Sequence, residues 1–256
     1  MIPKIIHYCW LSQDPYPETI RKCIDSWYKH LPDYEFKLWN RETFDINSVP
    51  WVKQAFEAKK YAFAADYIRL YALYTEGGIY LDSDVLVYKS FNNLLDLPYF
   101  IGQDFVGAFE SAIIGAEKGL EWIKIIMEYY DGKDFLNPDG SINIKNLPVV
   151  FFEQLLPHYK FQRIYSPKEF RKEDTIFNLF PPKYFNGRNN IEPHKYPESY
   201  SSHLFAASWT GQQTKKKNKT LIPTALLNLL YGLNYHFLRK PLVHNYDPFY
   251  RSVKLK

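Results

Sequence analysis

Two aspartates separated by one residue, Asp82 and Asp84, have the type and spacing to hold a divalent cation. They follow an apolar run in the segment GGIYLDSDV, and alternate residues of an extended strand point to the same side. Neighbouring carboxylates repel each other, and a shared cation removes that cost. Oxygen ligands favour Mg²⁺ or Mn²⁺, which also bind substrate phosphates. The alternative interpretation is a turn that carries two solvated acids.

The elements before this pair predict an α/β fold. Lys4–Trp10 is short, apolar and typical of a buried strand, an amphipathic helix lies between Ile20 and Leu31, and Tyr34–Asn40 alternates like a second strand. A strand–helix–strand order favours a mostly parallel central sheet flanked by helices. We then expect one long helix over Val52–Glu76, ended by the glycines at 77 and 78.

The aspartate pair itself is predicted to interrupt a strand over Ile79–Tyr88. It would therefore lie at the carboxyl end of a buried strand, where open α/β sheets bind ligands. Further along the chain we expect strands near Phe100 and over 112–115, a helix over 119–130, a turn at 137–140, mainly loop over 181–200, and a strand over 202–209.

Composition narrows the class of protein. The 256 residues are 46% hydrophobic and 18% aromatic, with a net charge of +4, which is typical of a globular chain. Neither zinc-finger spacing nor a basic base-reading helix is evident, so a nucleic-acid partner is not expected. The chain has only two cysteines, too few for a disulfide framework. This count is typical of a protein in a reducing compartment. We also expect neither a signal peptide nor a membrane-spanning helix.

Three segments in order resemble one known family. The segment AADYIRLYALYTEGGIYLDSDV resembles the signature of the sugar-binding-region glycosyltransferases with a DXD motif, glycosyltransferase family 32, which includes yeast-type α-mannosyltransferases and bacterial capsular enzymes. It is more distantly similar to the glucosylating domain of large clostridial toxins. IPKIIHYCW and SHLFAASW resemble the family's first strand and its late histidine-containing segment.

The resemblance implies a GT-A-type fold and a metal-dependent, retaining glycosyltransferase. Its cofactors would be Mn²⁺ or Mg²⁺ and a nucleotide-diphosphate sugar, with a UDP-sugar favoured and GDP-mannose as the alternative. It would move a hexose to a glycan or lipid-linked glycan acceptor in polysaccharide or capsule biosynthesis. Two other classes stay open: a glycoside hydrolase, whose two carboxylates flank the bond without a metal, and a non-catalytic sugar-binding module.

Residue by residue, Asp82 and Asp84 match the family's metal-site carboxylates and are the candidate catalytic residues. His203 matches the late segment and is the candidate third metal ligand, although family members often carry two adjacent histidines where this chain has His203 and Leu204. In the same segment, Ser208 and the tryptophan after it, Trp209, are candidates to donate hydrogen bonds to the diphosphate.

Asp66 and Arg69 match the family's Asp-x-x-Arg and share one face of a helix because they are three residues apart. We expect them to contact the donor's sugar or ribose, so that Arg69→Ala would impair activity with little change in melting temperature. The alternative is a plain intrahelical ion pair. Trp10 is a candidate to flank the nucleotide base or, equally, a core residue.

Three further side chains have weaker signals. His7, inside the first strand, is interpreted as a structural histidine. Asp104 and Glu110 are the nearest unassigned acids after the metal strand, and either could face the sugar or the acceptor.

The whole chain is expected to form one domain. Residues 1–115 would be the half that binds donor and metal, and 116–256 the acceptor side with a helical, loop-rich C-terminal part. Leu221–Leu238 is the most apolar stretch and follows the lysine cluster Lys215–Lys219. Such a segment is typical of peripheral membrane contact, or of an ordinary packing helix. We expect a cytoplasmic location, including the inner face of the cell membrane.

Overall fold

Strands and helices alternate along the first half of the chain, as the sequence pattern predicts. The computed structural model describes residues 1–104, 107–143, 145–185 and 197–206. The strands are β1 (Ile5–Cys9), β2 (Glu35–Trp39), β3 (Gly78–Leu81), β4 (Val85–Val87), β5 (Tyr99–Gln103), β6 (Phe109–Ala116), β7 (Lys160–Arg163), β8 (Ile176–Leu179) and β9 (Ser201–His203). The helices are α1 (Glu18–His30), α2 (Pro50–Glu57), α3 (Tyr61–Glu76), α4 (Glu121–Glu128) and α5 (Leu147–Leu155).

A five-stranded sheet in the order β2-β1-β3-β6-β5 organises these elements. β1 pairs in parallel with β2 and β3, whereas β6 runs antiparallel to both β3 and β5. Four of the five strands therefore point in one direction. The predicted α/β class, with a mostly parallel central sheet flanked by helices, is confirmed.

Both faces of the central sheet are buried. Along β3, Ile79 and Leu81 pack into one hydrophobic cluster while Tyr80, between them, packs into the other. A strand covered on both faces has no polar alternation, which explains the continuous apolar run before Asp82. Within the described ranges, no helix is long and apolar enough to cross a membrane.

The predicted long helix over Val52–Glu76 is wrong, because the chain divides it into α2 and α3. Lys59 has a φ of 55°, in the left-handed region. The N–H of Lys60 bonds the carbonyl of Ala55, and the N–H of Lys59 bonds that of Phe56. This pair of bonds is a Schellman motif, which usually has glycine where Lys59 stands. The missing glycine explains why the sequence pattern hid the break.

The predicted strand over Ile79–Tyr88 is also wrong as one element. β3 ends at Leu81, and the chain turns before β4, which pairs with β9 in a separate two-stranded sheet. α5 and the parallel pair β7 and β8 were not predicted. The expected turn at 137–140 is present. Residues 207–256, including Leu221–Leu238 and Lys215–Lys219, lie outside the described residues.

His7 connects β1 with its neighbours, in agreement with a structural role. Its Nδ1 accepts a hydrogen bond from the indole N–H of Trp39 at 3.0 Å. The proton therefore resides on Nε2, which donates to the carbonyl of Gly77 at 2.7 Å. A Cβ at Gly78 would lie 3.0 Å from that nitrogen, so a glycine is needed there. Burial lowers the pKa of His7 below its usual value.

We expect His7→Gln to destabilise the protein less at acidic than at mildly basic pH. At about pH 7.5 the variant should lose about 1–3 kcal/mol in the free energy of unfolding, because a buried partner loses its bond. Below the unfolded pKa of about 6.5 the unfolded wild type binds a proton that native His7 resists. Wild-type stability therefore falls as pH decreases, and the gap between the two proteins in the free energy of unfolding becomes smaller.

Denaturant unfolding of both proteins at about pH 7.5 and about pH 5 measures this gap. The exposed His158 on the same chain supplies the control, His158→Gln. A gap for His7→Gln that is equal at the two pH values would contradict a buried neutral imidazole.

Candidate functional site

A tight turn at the carboxyl end of β3 carries both aspartates. The N–H of Asp82 bonds the carbonyl of Ala112 in β6 at 2.9 Å, and the carbonyl of Asp82 accepts from the N–H of Val85 at 2.9 Å. Asp82 and Asp84 are therefore brought together by a turn and not, as predicted, by alternation along one strand. In β4 and β9, Val85 pairs with His203, and this register places the histidine beside the turn.

Asp82, Asp84 and His203 converge on one point. One ligand atom from each lies within 4.8 Å of the other two. Two carboxylates and one imidazole at this spacing form a donor set that fits a small divalent cation, which would take its remaining ligands from water or substrate oxygens. The structure thus brings together the three residues predicted as metal ligands, and their binding of an ion stays a prediction.

Asp84 and His203 are held in a network of hydrogen bonds. Asp84 Oδ2 accepts from the N–H of Ala206 at 2.8 Å, and His203 Nε2 lies 3.4 Å from Asp84 Oδ1. Burial opposes ionisation of Asp84, but the histidine and the Ala206 N–H lower its pKa below the usual value. Burial likewise opposes the charge on His203, yet bonds to Asp84 and Glu110 raise its pKa to about 10.

Asp66 and Arg69 share a face of α3, as predicted, and Arg69 also reaches the aspartate turn. Its guanidinium donates to Asp66 Oδ1 at 3.0 Å and lies 3.3 Å from Asp82 Oδ1. It also donates to the carbonyl of Ser111 at 2.7 Å and lies over the Tyr80 ring. Arg69 therefore provides the positive charge between two partly buried carboxylates.

The burial of this ion-pair network raises the pKa of both acids. The pKa of Asp66 is about 7, because burial outweighs the attraction of Arg69. The pKa of Asp82 is raised by burial and lowered in part by Arg69. The side chain of Arg69 is only 5% exposed. Its replacement should therefore affect folding, contrary to the expectation of an unchanged melting temperature.

The other predicted site residues divide into three groups. Trp10 directly follows β1, on the same edge of the sheet as Asp82, where its indole N–H donates to the carbonyl of Asp14 at 2.9 Å. Ser208 and Trp209 lie outside the described residues, so their contacts with a diphosphate stay predictions. Asp104 accepts from the N–H of Ala108 at 2.9 Å and supports the connection between β5 and β6.

Glu110 is the unassigned acid that joins the cluster, through a 3.1 Å contact with His203 Nδ1. Sequence reasoning missed Tyr80, whose hydroxyl donates to Asp82 Oδ1 at 3.0 Å. Its position two residues before Asp82 was the available signal. Phe205, whose ring stacks on His203 with centroids 3.9 Å apart, was missed as well. The long-range contact of the histidine segment with Asp84 and Glu110 has no local signal.

Residues 17–101 match the family described as a glycosyltransferase sugar-binding region containing a DXD motif. The matched segment includes Asp66, Arg69, Asp82 and Asp84. The resemblance stated from the sequence is thereby confirmed, and this segment is a glycosyltransferase sugar-binding region of the DXD type.

Individual proteins support the same class. The chain is 32% identical over 125 residues to inositol phosphoceramide mannosyltransferase 3 of Schizosaccharomyces pombe, a match over 46% of this chain and 34% of that protein. The chain thus spans about a third of the length of this relative. It is 24% identical over 220 residues to the uncharacterized glycosyltransferase L373 of Acanthamoeba polyphaga mimivirus, a match over 82% of this chain and 84% of that protein.

Among solved structures, the PaToxG glycosyltransferase is similar with a TM-score of 0.46 and 25% identity, over 61% of this chain and 68% of that one. At this score the likeness carries no argument about the site, and the fold assignment rests on the sheet order described above.

Proposed function

We propose that this protein is a nucleotide-sugar-dependent glycosyltransferase that moves a hexose to a glycan or lipid-linked glycan acceptor. Mn²⁺ or Mg²⁺ would be held by Asp82, Asp84 and His203. The observation that carries the proposal is the convergence of these side chains at the carboxyl end of β3, within a chain that contains a DXD-type sugar-binding region.

A cation bound here would stabilise the negative charge that develops on the leaving diphosphate. The protein's own groups hold the ligands in place. Arg69 favours the ionised form of Asp82 and orients it, Tyr80 donates to the same carboxylate, and the N–H of Ala206 orients Asp84. This support means that little reorganisation is needed when the donor binds.

The geometry favours different tasks for Asp66 and Arg69. The guanidinium is occupied by Asp66, Asp82 and the carbonyl of Ser111. The Asp66 side chain is more accessible, at 14% against 5%. We therefore assign the contact with the donor's sugar or ribose to Asp66. We assign to Arg69 the positioning of Asp66 and Asp82. Trp10 would flank the nucleotide base, and Ser208 and Trp209 would contact the diphosphate.

The relatives suggest which donors and acceptors to test. The name of the Schizosaccharomyces pombe relative specifies mannosyl transfer to inositol phosphoceramide, a lipid with a phosphoinositol head group. GDP-mannose thus stands beside the UDP-sugars as a candidate donor, and a lipid with a hydroxylated head group stands beside the lipid-linked glycans as a candidate acceptor class. Retention of configuration and a cytoplasmic location remain part of the proposal.

A donor screen tests the proposal directly. Thermal-shift measurements with UDP-, GDP- and CMP-sugars in the presence of Mn²⁺ should identify one nucleotide that stabilises the protein, because a bound ligand stabilises only the native state. The matching donor should then release its nucleotide when acceptor is added. Sugar release from an oligosaccharide in the presence of EDTA would indicate a hydrolase instead. Sugar binding without turnover would indicate a binding module.

Binding of the nucleoside diphosphate should depend on the cation. We expect EDTA to weaken the affinity for the diphosphate of the selected donor by about tenfold or more, because the ion would bridge phosphate oxygens and the aspartates. Calorimetric titration with and without chelator measures this effect. In the matched Asp84→Asn variant, affinity should be low and insensitive to EDTA. Equal wild-type affinities in both conditions would exclude a bridging cation.

A further inference from the structure

The ring of His203 lies between two carboxylates. Its Nε2 faces Asp84 Oδ1 at 3.4 Å, on the side of the candidate cation site. Its Nδ1 faces Glu110 Oε1 at 3.1 Å, on the side of β6. The Glu110 side chain is only 4% exposed. The two nitrogens of the imidazole thus have different partners, and each partner is fixed by the backbone around it.

Three consecutive residues of β6 support three parts of the cluster. The carboxylate of Glu110 contacts His203, the carbonyl of Ser111 accepts from Arg69, and the carbonyl of Ala112 accepts from the N–H of Asp82. Glu110 Oε1 also accepts from the N–H of Ala112 at 3.2 Å. The position of the glutamate oxygen is therefore tied to the same strand that positions Asp82.

We infer that Glu110 is a positioning residue for His203 and not a group that reacts with the sugar. Its carboxylate accepts the Nδ1–H of His203, so that Nε2, whose proton a bound cation would displace, would face a cation held by Asp82 and Asp84. A carboxylate behind a ligating histidine fixes the tautomer and the ring orientation. The inference rests on the proposed cation site and adds the group that orients its third ligand.

Two conservative replacements separate position from charge. Glu110→Gln removes the charge but keeps an oxygen at the same place, because the N–H of Ala112 still requires an acceptor there. Glu110→Asp keeps the charge but withdraws the carboxylate by one carbon–carbon bond, about 1.5 Å, and breaks the contact with Nδ1. A positioning role predicts that the aspartate variant is the more impaired of the two.

The measurement is Mn²⁺ affinity, obtained from the electron paramagnetic resonance signal of free Mn²⁺ with UDP and then with GDP present. We expect Glu110→Asp to weaken Mn²⁺ binding by about 10–100-fold, as for other residues that orient metal ligands. The Mn²⁺ affinity of Glu110→Gln should stay within about fivefold of the wild-type affinity, because a neutral acceptor makes a weaker but correctly placed bond to His203. A larger loss of Mn²⁺ affinity in Glu110→Gln than in Glu110→Asp would overturn the positioning role, because the charge of Glu110 and not its position would then matter.

A third variant controls for loosening of β6. Ile113→Val, on the same strand and packed into the hydrophobic cluster opposite to that of Tyr80, should lower the melting temperature without changing Mn²⁺ affinity. Unchanged Mn²⁺ affinity in Glu110→Asp would overturn only the positioning role of Glu110 and would leave the proposed cation site in place. A wild-type protein that binds no Mn²⁺ with either nucleotide would overturn the cation site itself, and with it this inference.

Discussion

Asp84→Asn is expected to reduce sugar transfer by about 10³-fold or more, because a bound cation supplies several kcal/mol of charge stabilisation in the transition state and each 1.4 kcal/mol is about tenfold in rate. Asparagine has nearly the same size as aspartate. Its side-chain oxygen can still accept from the N–H of Ala206, which bonds Asp84 at 2.8 Å. The variant should therefore fold normally and lose only the charge. Asp82→Asn should reduce transfer to the same extent, and Arg69 keeps Asp66 as its counter-charge in that variant.

Initial rates of sugar transfer with saturating Mn²⁺ and the donor selected by the thermal-shift screen measure the effect. A thermal melt of each variant verifies the fold. Asp25→Asn is the appropriate control, because Asp25 is exposed on α1 and the same chemical change there should leave the rate unaltered. Turnover of Asp82→Asn or Asp84→Asn close to that of the wild type would contradict the assignment of these carboxylates to the cation.

Arg69→Ala is expected to lower the free energy of unfolding by about 3–5 kcal/mol, the usual cost of removing one partner from a buried ion pair. The guanidinium lies 3.0 Å from Asp66 and 3.3 Å from Asp82, whose side chains are 14% and 25% exposed. Without it, Asp66 and Asp82 would lose their counter-charge, and one of the two acids would have to take up a proton for both to stay partly buried side by side. Transfer should also fall, since Asp82 would lose the group that orients it.

Chemical denaturation of Arg69→Ala measures this loss, and the exposed Arg21 on α1 supplies the control, Arg21→Ala. A double variant sharpens the test. Adding Asp66→Asn to Arg69→Ala should recover part of the lost stability, because one unpaired carboxylate is removed. Wild-type stability in Arg69→Ala would show that Asp66 and Asp82 do not need the arginine in the folded state.

Local patterns were sufficient to predict much of the secondary structure of residues 1–115. The apolar runs at β1 and β3 and the amphipathic spacing of α1 are properties of neighbouring residues, so they predicted the α/β class. The Asp66 and Arg69 pair follows from helix periodicity in the same way. The break at Lys59 was missed because its left-handed residue is a lysine, and α5, β7 and β8 were missed because short apolar segments do not distinguish helix from strand.

The sequence by itself determined which residue types could do the chemistry: two aspartates after a buried strand and a histidine far along the chain. Only the tertiary structure decided how they meet. A turn, and not strand alternation, brings Asp82 and Asp84 together, and the pairing of β4 with β9 places His203 beside them. The contacts of Arg69 with Asp82 and of Glu110 with His203 likewise join separate elements. Such contacts depend on the register between strands, which no local periodicity encodes.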